Sequence, residues 1–269
     1  MGRVLAVAAT LLAAGCLLPK AADLRPATLW DRVRGGTTDG LVVRTGLLDR
    51  PAGDAYLGQG VWATAGRPLP PELTTLLAHN GLRVGVFTGI IPGEFDKLIR
   101  SDAALVDARD RPLQPGRSKV VPVNGPVDRV ALAVLADLAA DPSPLDLTAV
   151  ECGLQITARP TGSDLVELVC EPQIQYGDKQ TLLKPTSDNT GFTSQERKPL
   201  KTFPALTFTV TLGPADYLLV GPTAEPAGKL GGAFFVDATP DQVRQRVLVV
   251  RAGRQPGPVE GRGANGPRP

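Results

Sequence analysis

The stretch that decides the fold runs from Cys152 to Tyr176 and reads Cys-Gly-Leu-Gln-Ile-Thr-Ala-Arg-Pro-Thr-Gly-Ser-Asp-Leu-Val-Glu-Leu-Val-Cys-Glu-Pro-Gln-Ile-Gln-Tyr. Apolar residues occupy every second position before Pro160, and again for most of the segment after Asp164. Alternation of this kind is typical of a strand with one buried face. Because proline, glycine and aspartate separate the two runs, the sequence predicts a half-buried β-hairpin.

The hairpin carries the cysteines Cys152 and Cys170. A three-residue loop at Thr161–Ser163 would place them on the same face, one diagonal step apart. We therefore predict a disulfide between Cys152 and Cys170, which suits an oxidising compartment. Two buried thiols in an apolar core are the alternative. Residues 148–151 also fit a capping box, which would open a one-turn helix before the strand.

The segments around this hairpin predict an α+β chain. Residues 119–252 are expected to form a mainly antiparallel β domain, with a turn at Asn124-Gly125 in an edge hairpin, further strands at 206–212, 217–220 and 247–251, and a single helical turn after Thr239. Residues 127–138 fit a strand or a buried helix, and we favour a strand. Residues 182–201 are polar and predict an extended segment between the strands.

Residues 41–118 predict a small N-terminal α/β unit. Strands are expected near residues 41–44 and 82–87, and short helices after the prolines at 70–71 and 92. The pair Asn80-Gly81 is expected to end the first of these helices, because glycine and asparagine readily adopt the left-handed backbone conformation found at helix C-termini.

The N-terminus carries an export signal. Arg3 is followed by an uncharged apolar run from Val4 to Ala14, which is shorter than the roughly 20 residues that a helix needs to span a bilayer. The run ends Leu12-Ala-Ala-Gly-Cys16, which resembles the lipobox of bacterial lipoproteins, with Ala13 where the pattern usually has leucine. The resemblance implies cleavage of a signal peptide at 1–15, acylation (palmitate) of Cys16 and a membrane anchor; an ordinary signal peptide with an incidental Cys16 is the alternative.

Composition narrows the class of partner. The chain has 29 basic and 27 acidic residues and only 4% aromatic residues, which argues against nucleic acid as a partner. The 30 glycines and 26 prolines favour many short strands over a helical bundle. Residues 16–40 are expected to act as a tether, and the Gly/Pro/Arg-rich residues 253–269 to be disordered.

No residue cluster predicts catalysis, a cofactor or a metal. His79 is the single histidine, and its side chain is expected to point away from the apolar stripe of its helix. Glu167 and Glu171 lie roughly 13 Å apart on one strand, which is too far for the carboxylate pair of a glycosidase. Together with Glu151, they are explained by a strand face that is exposed to solvent. The Gly-x-Gly-x-x-Gly match at 261–266 lacks a strand–helix context, and 221–230 lacks the Walker spacing.

A series of arginines gives the C-terminal region a local positive excess, which could meet anionic lipid or an acidic partner: Arg244, Arg246, Arg251 and Arg254.

Two resemblances bear on function. The run Leu206–Gly221, preceded by the hairpin ending Glu171-Pro-Gln-Ile, is similar to the paired strands of outer-membrane secretin domains. The lipobox with a two-part body is similar to uncharacterised envelope lipoproteins of the planctomycete type, which implies an extracytoplasmic location and no activity. We therefore expect a non-catalytic binding or assembly component of the cell envelope, with the membrane and an envelope protein as partners. The alternatives are a histidine-independent hydrolase using Asp or Glu, and a secretin-related component.

Overall fold

The computed structural model describes residues 40–162, 164–185, 191–239 and 241–254. The predicted signal peptide, Cys16, the tether up to residue 39 and the tail from residue 255 lie outside the described residues.

The described chain consists mainly of antiparallel strands joined by short helices. The strands are β1 (Leu41–Pro51), β2 (Leu82–Phe87), β3 (Leu105–Leu113), β4 (Ser118–Val134), β5 (Ser143–Thr161), β6 (Leu165–Gln175), β7 (Gln180–Pro185), β8 (Phe192–Arg197), β9 (Leu200–Thr202), β10 (Phe208–Leu212), β11 (Tyr217–Pro222), β12 (Val236–Ala238) and β13 (Val243–Arg254). The α-helices are α1 (Val61–Thr64), α2 (Pro71–His79), α3 (Gly93–Ile99) and α4 (Leu230–Phe235), with a π-turn at Tyr56–Gly60 and a 3₁₀ turn at Pro204–Leu206.

Two sheets pack against each other. The first, sheet A, has the strand order β2-β11-β13-β1-β3, with β12 added to β13. The second, sheet B, has the order β10-β6-β5-β4, with β9 added to β6. The ribbon β7–β8 forms a separate two-stranded sheet.

Strand β13 lies near the middle of sheet A and is buried on both faces. Leu248 and Val250 pack into the core shared with sheet B, whereas Val247 and Val249 pack under α1 and α3. A strand covered on both sides is continuously apolar rather than alternating, which explains the run Val247–Val250. The result is three layers, with sheet A in the centre.

The predicted α+β class is wrong, because the chain is mainly β. Strands β1 and β2 do not pair within a local α/β unit, since β13 and β11 lie between them. The helices are short, the longest of them being α2 with 9 residues. Local sequence patterns indicated the strands and helices but not the distant strands that separate β1 from β2.

Several local predictions are confirmed. The hairpin β5–β6 forms, helices begin at Pro71 and Gly93, and Gly81 ends α2 with a φ of +79°. Residues 127–134 are a strand. Strand β4 lies at a sheet edge, as predicted from Pro122 and Pro126, because a proline cannot donate a hydrogen bond to a neighbouring strand.

One predicted hairpin turn and two predicted helical turns are absent from the described residues. Asn124-Gly125 forms a bulge inside the continuous strand β4, where the pairing with β5 shifts register. A Cβ at Gly125 would lie 2.8 Å from the carbonyl oxygen of Val150, so the close approach to β5 requires glycine. The capping box at 148–151 lies within β5, and no helix follows Thr239 in the described residues.

Candidate functional site

Both hairpin cysteines are buried free thiols. Cys152 is paired with Ile174, and Cys170 with Ile156. The loop begins one residue later than we predicted, at Gly162, and this shift separates the cysteines further. Positions four residues apart on neighbouring strands are on the order of 13 Å apart, beyond the span of a disulfide. The disulfide predicted from the sequence is not formed in this structure.

Burial changes the acidity of both thiols. Removal from water raises the pKa of Cys152 to about 12 and raises the pKa of Cys170 further, because a thiolate is poorly stabilised in an apolar core. Both side chains therefore act as small apolar groups within the core.

The carboxylates singled out in the sequence are spread along the hairpin. Glu151, Glu167 and Glu171 stand at pairing positions four residues apart, roughly 13 Å at each step. Glu151 forms an ion pair of 2.8 Å with Lys198, and Glu167 lies 4.0 Å from Arg159. The structure does not bring them together as a general acid and base.

His79 is exposed at the end of α2, as its position in the helix indicated. Among the described residues no group of three or more His, Cys, Asp or Glu side chains could hold a metal ion. Within the same part of the chain, no helix combines the length and the hydropathy needed to cross a bilayer.

The C-terminal arginines are engaged within the protein. Arg244 and Arg246 both contact the buried carboxylate of Asp49, at 2.6 and 3.3 Å. Arg251 stacks over the ring of Tyr217 at 4.9 Å and donates to its hydroxyl. These side chains hold sheet A together and are not an open basic surface.

Arg254 follows the same pattern, donating to the carbonyl oxygen of Gly162 at 2.5 Å. The last arginine of the series thus ties β13 to the β5–β6 loop.

An open cleft of about 810 Å³ lies beside β4 and the end of sheet A. Five segments form its wall: the loop after β1, Arg83 in β2, the second half of β4, the stretch from the end of β11 into α4, and β12 with the start of β13. The lining side chains include Ala52, Asp54, Gln59, Arg83, Asn124, Val127, Arg129, Val130, Ala131, Thr223, Lys229, Val236, Asp237, Val243 and Gln245.

Two asparagines fix the elements that frame the cleft. The buried amide of Asn80 donates to the carbonyl oxygens of Leu76 and Leu135, each at 2.8 Å, and accepts from the N–H of Leu135 at 2.9 Å. Asn124 donates to the carbonyl oxygen of Ala233 in α4 at 2.9 Å. These bonds tie α2 and β4 together, and β4 to α4.

Close backbone contact fixes the start of α4 as well. The N–H of Gly231 donates to the carbonyl oxygen of Asn80, and a Cβ at Gly231 would lie 1.8 Å from the carbonyl oxygen of Gly81. Only glycine permits this contact, so the cleft wall is built on a rigid backbone junction.

The charges of the cleft fall into two groups. Asp54 and Asp237 are each paired with an arginine, at 2.9 and 2.8 Å, and Arg129 is paired with Asp146. By contrast, neither Arg83 nor Lys229 has a carboxylate within 4.0 Å among the described residues. The unbalanced charge of the cleft is therefore positive.

Arg83 is held in place without a counter-charge. Its Nε donates to the carbonyl oxygen of Pro222 at 2.7 Å, its Nη2 donates to that of Gly58 at 2.9 Å, and its guanidinium lies 4.6 Å from the centre of the Trp62 ring. Burial lowers the pKa of Arg83 to about 10. A cation that is desolvated and faces neutral partners is a group that an anionic ligand would stabilise.

Sequence reasoning missed this site. Arg83 lies in a strand whose sequence carries no binding motif. Lys229 lies in the segment 221–230, which lacks the spacing of a Walker phosphate-binding loop. The cleft joins segments from residues 52 to 245, and no local pattern reports that they meet.

Comparison with known proteins gives a distant likeness among solved structures. No protein-family model matches this chain, and neither does any curated protein sequence. Among solved structures the chain is similar to the InvG secretin domain β-barrel of the Salmonella SPI-1 injectisome NC-base, with 8% sequence identity, 88% of this chain and 69% of that chain covered, and a TM-score of 0.23. At this TM-score the likeness assigns neither a fold nor an activity.

Proposed function

We propose that this protein is a lipid-anchored component of the cell envelope that binds a small ligand in the cleft beside β4. The cleft itself carries the proposal, since its volume of about 810 Å³ falls in the range of small-molecule sites, roughly 300 to 1,000 Å³. Its framing elements are fixed by the amides of Asn80 and Asn124. A preformed wall lowers the entropic cost of binding.

A binding role fits the chemistry of the cleft better than a catalytic one. Asp54 and Asp237 are held in ion pairs with arginines, so neither is a free general base. The sequence at residues 1–16 supports display on a membrane, because a lipobox cysteine would carry the acyl chains.

Ligand binding is tested on the full chain purified from its own envelope in mild detergent. Native mass spectrometry of the wild type should reveal a co-purified small molecule. Ala131→Trp, which fills the cleft, should lose it, whereas Ala108→Trp, at an exposed position of β3 outside the cleft, should retain it. A wild type without bound ligand, or equal retention by both variants, would overturn the assignment of the cleft.

The anchor has an independent test. Cys16→Ser should abolish incorporation of labelled palmitate, and the matched change Cys152→Ser should leave it intact. Continued labelling of Cys16→Ser would refute the lipoprotein assignment.

A further inference from the structure

We infer that the cleft ligand is an organic anion, with one compact anionic head group bound by Arg83 and Lys229 and an uncharged apolar body lying along β4 and β12. This inference rests on the proposed function and adds the chemical class of the ligand.

The charge balance of the wall gives the sign of the ligand. The carboxylates of Asp54 and Asp237 and the guanidinium of Arg129 are all neutralised by partners within the protein. Arg83 and Lys229 remain as the cations without a carboxylate among the described residues. Glu225, on the loop that leads to Lys229, is exposed and does not line the cleft.

Arg83 is prepared to receive an anion. Its contacts with the carbonyl oxygens of Pro222 and Gly58 use one N–H on Nε and one on Nη2, so among the described residues both N–H groups of Nη1 remain available. Stacking on Trp62 fixes the plane of the guanidinium. An oriented arginine loses less conformational entropy on binding and favours planar head groups such as a carboxylate.

Lys229 stands on the same wall. Its Cβ lies 3.0 Å from the position that a Cβ would take at Gly81, two residues before Arg83 in the chain. The side chain is half-buried, and the backbone beside it is fixed by the N–H of Ala133, which donates to the carbonyl oxygen of Gly228 at 3.0 Å. Both cations line the same cleft, and the chain at Lys229 lies against the segment that leads into Arg83.

The remainder of the wall is suited to an apolar body. Several uncharged side chains that offer no strong hydrogen-bonding group also line the cleft: Val127, Val130, Ala131, Val236 and Val243. A bare inorganic anion would leave this surface in contact with water, whereas an acyl or aromatic body would cover it.

Isothermal titration of the full chain in lipid nanodiscs, with empty nanodiscs as the blank, tests the ligand class. Octanoate should bind the wild type at least tenfold more tightly than octan-1-ol, and more tightly than inorganic phosphate. Lys229→Met should weaken octanoate binding by about tenfold or more, since charge-assisted hydrogen bonds contribute about 1.5–3 kcal/mol. The exposed control Lys119→Met should change nothing.

The outcomes separate this inference from the proposed function. Equal affinity for octanoate and octan-1-ol, or an unchanged Lys229→Met variant, would overturn the anionic head group, and tighter binding of phosphate than of octanoate would overturn the apolar body. In each case a cleft ligand retained in native mass spectrometry would leave the proposed function standing. Arg83→Gln should weaken octanoate in the same way, with circular dichroism as a check on folding because Arg83 also holds two backbone carbonyls. Failure of the wild type to bind octanoate at all would also overturn the inference.

Discussion

Replacing Asn80 with alanine removes the side-chain amide that ties the end of α2 to the end of β4. Two backbone groups lose their hydrogen bond to this amide: the N–H of Leu135, at 2.9 Å from Oδ1, and the carbonyl oxygen of Leu135, at 2.8 Å from Nδ2. Leu76 keeps a partner, because its carbonyl oxygen also accepts the backbone N–H of Asn80 at 3.2 Å. Asn80 itself is 1% exposed, so water does not readily replace the amide.

The cost follows from leaving two buried backbone groups unsatisfied. Each such group destabilises the fold by about 1–3 kcal/mol, so Asn80→Ala should lower the free energy of unfolding by about 2–6 kcal/mol. Domains of this kind are stable by only about 5–15 kcal/mol, so the loss is a large fraction of the total. Urea unfolding followed by far-ultraviolet circular dichroism measures it through the shift in midpoint at constant slope.

The neighbouring substitution His79→Ala is the matched control. His79 is exposed, so its removal should change the free energy of unfolding by no more than about 0.5 kcal/mol. A loss below about 1 kcal/mol for Asn80→Ala would refute the reasoning, since it would mean that Leu135 finds other partners.

Three further outcomes are expected. Cys152 and Cys170 should resist alkylation at pH 8 in the folded chain and react fully in urea without reductant; failure to react in urea would indicate the disulfide that the structure lacks. Burial raises the pKa of both thiols above the unfolded value near 9, so the unfolded state releases these protons first as the pH rises. The free energy of unfolding of the wild type should therefore fall above pH 9 by about 1.4 kcal/mol per pH unit for each thiol. Urea titrations at pH 8 to 10 measure this loss, which should be absent from the double alanine variant. Asp49→Asn should cost about 2–4 kcal/mol in urea unfolding, because it leaves the partly buried Arg244 without a carboxylate and removes one of the two carboxylate partners of Arg246, which keeps Asp237. Asp110→Asn, which breaks an exposed pair, should cost under about 1 kcal/mol; equal losses would contradict this account.

The elements that the sequence predicted well are those whose signal is local. The hairpin β5–β6 follows from period-two alternation around Pro160–Asp164, and α2 and α3 follow from prolines that precede short apolar stripes. The hairpin register was missed because the loop position depends on which of several small residues, here Gly162 with a φ of +71°, adopts the left-handed conformation. That single-residue difference moved the cysteines apart and removed the predicted disulfide.

The predicted fold class failed for a different reason. Residues 41–87 contain strands and a helix in an order that suggests a local α/β unit. In sheet A, however, β2 pairs with β11, and β1 pairs with β13 as well as with the nearer β3; β11 and β13 lie more than 100 residues away in the sequence. Antiparallel pairing depends on backbone hydrogen bonds, which carry no side-chain signature of the partner strand.

The pattern of neighbouring side chains was enough to predict the positions of most strands and which of them bury one face. The same kind of local pattern predicts an export signal at the N-terminus. Only the tertiary structure decided which charges remain unpaired. Asp49 neutralises Arg244 and Arg246 from the opposite end of the described chain, whereas Arg83 and Lys229 meet no carboxylate there. Pairing of charges depends on distances between segments far apart in sequence, so the cationic cleft becomes visible only once the chain has folded.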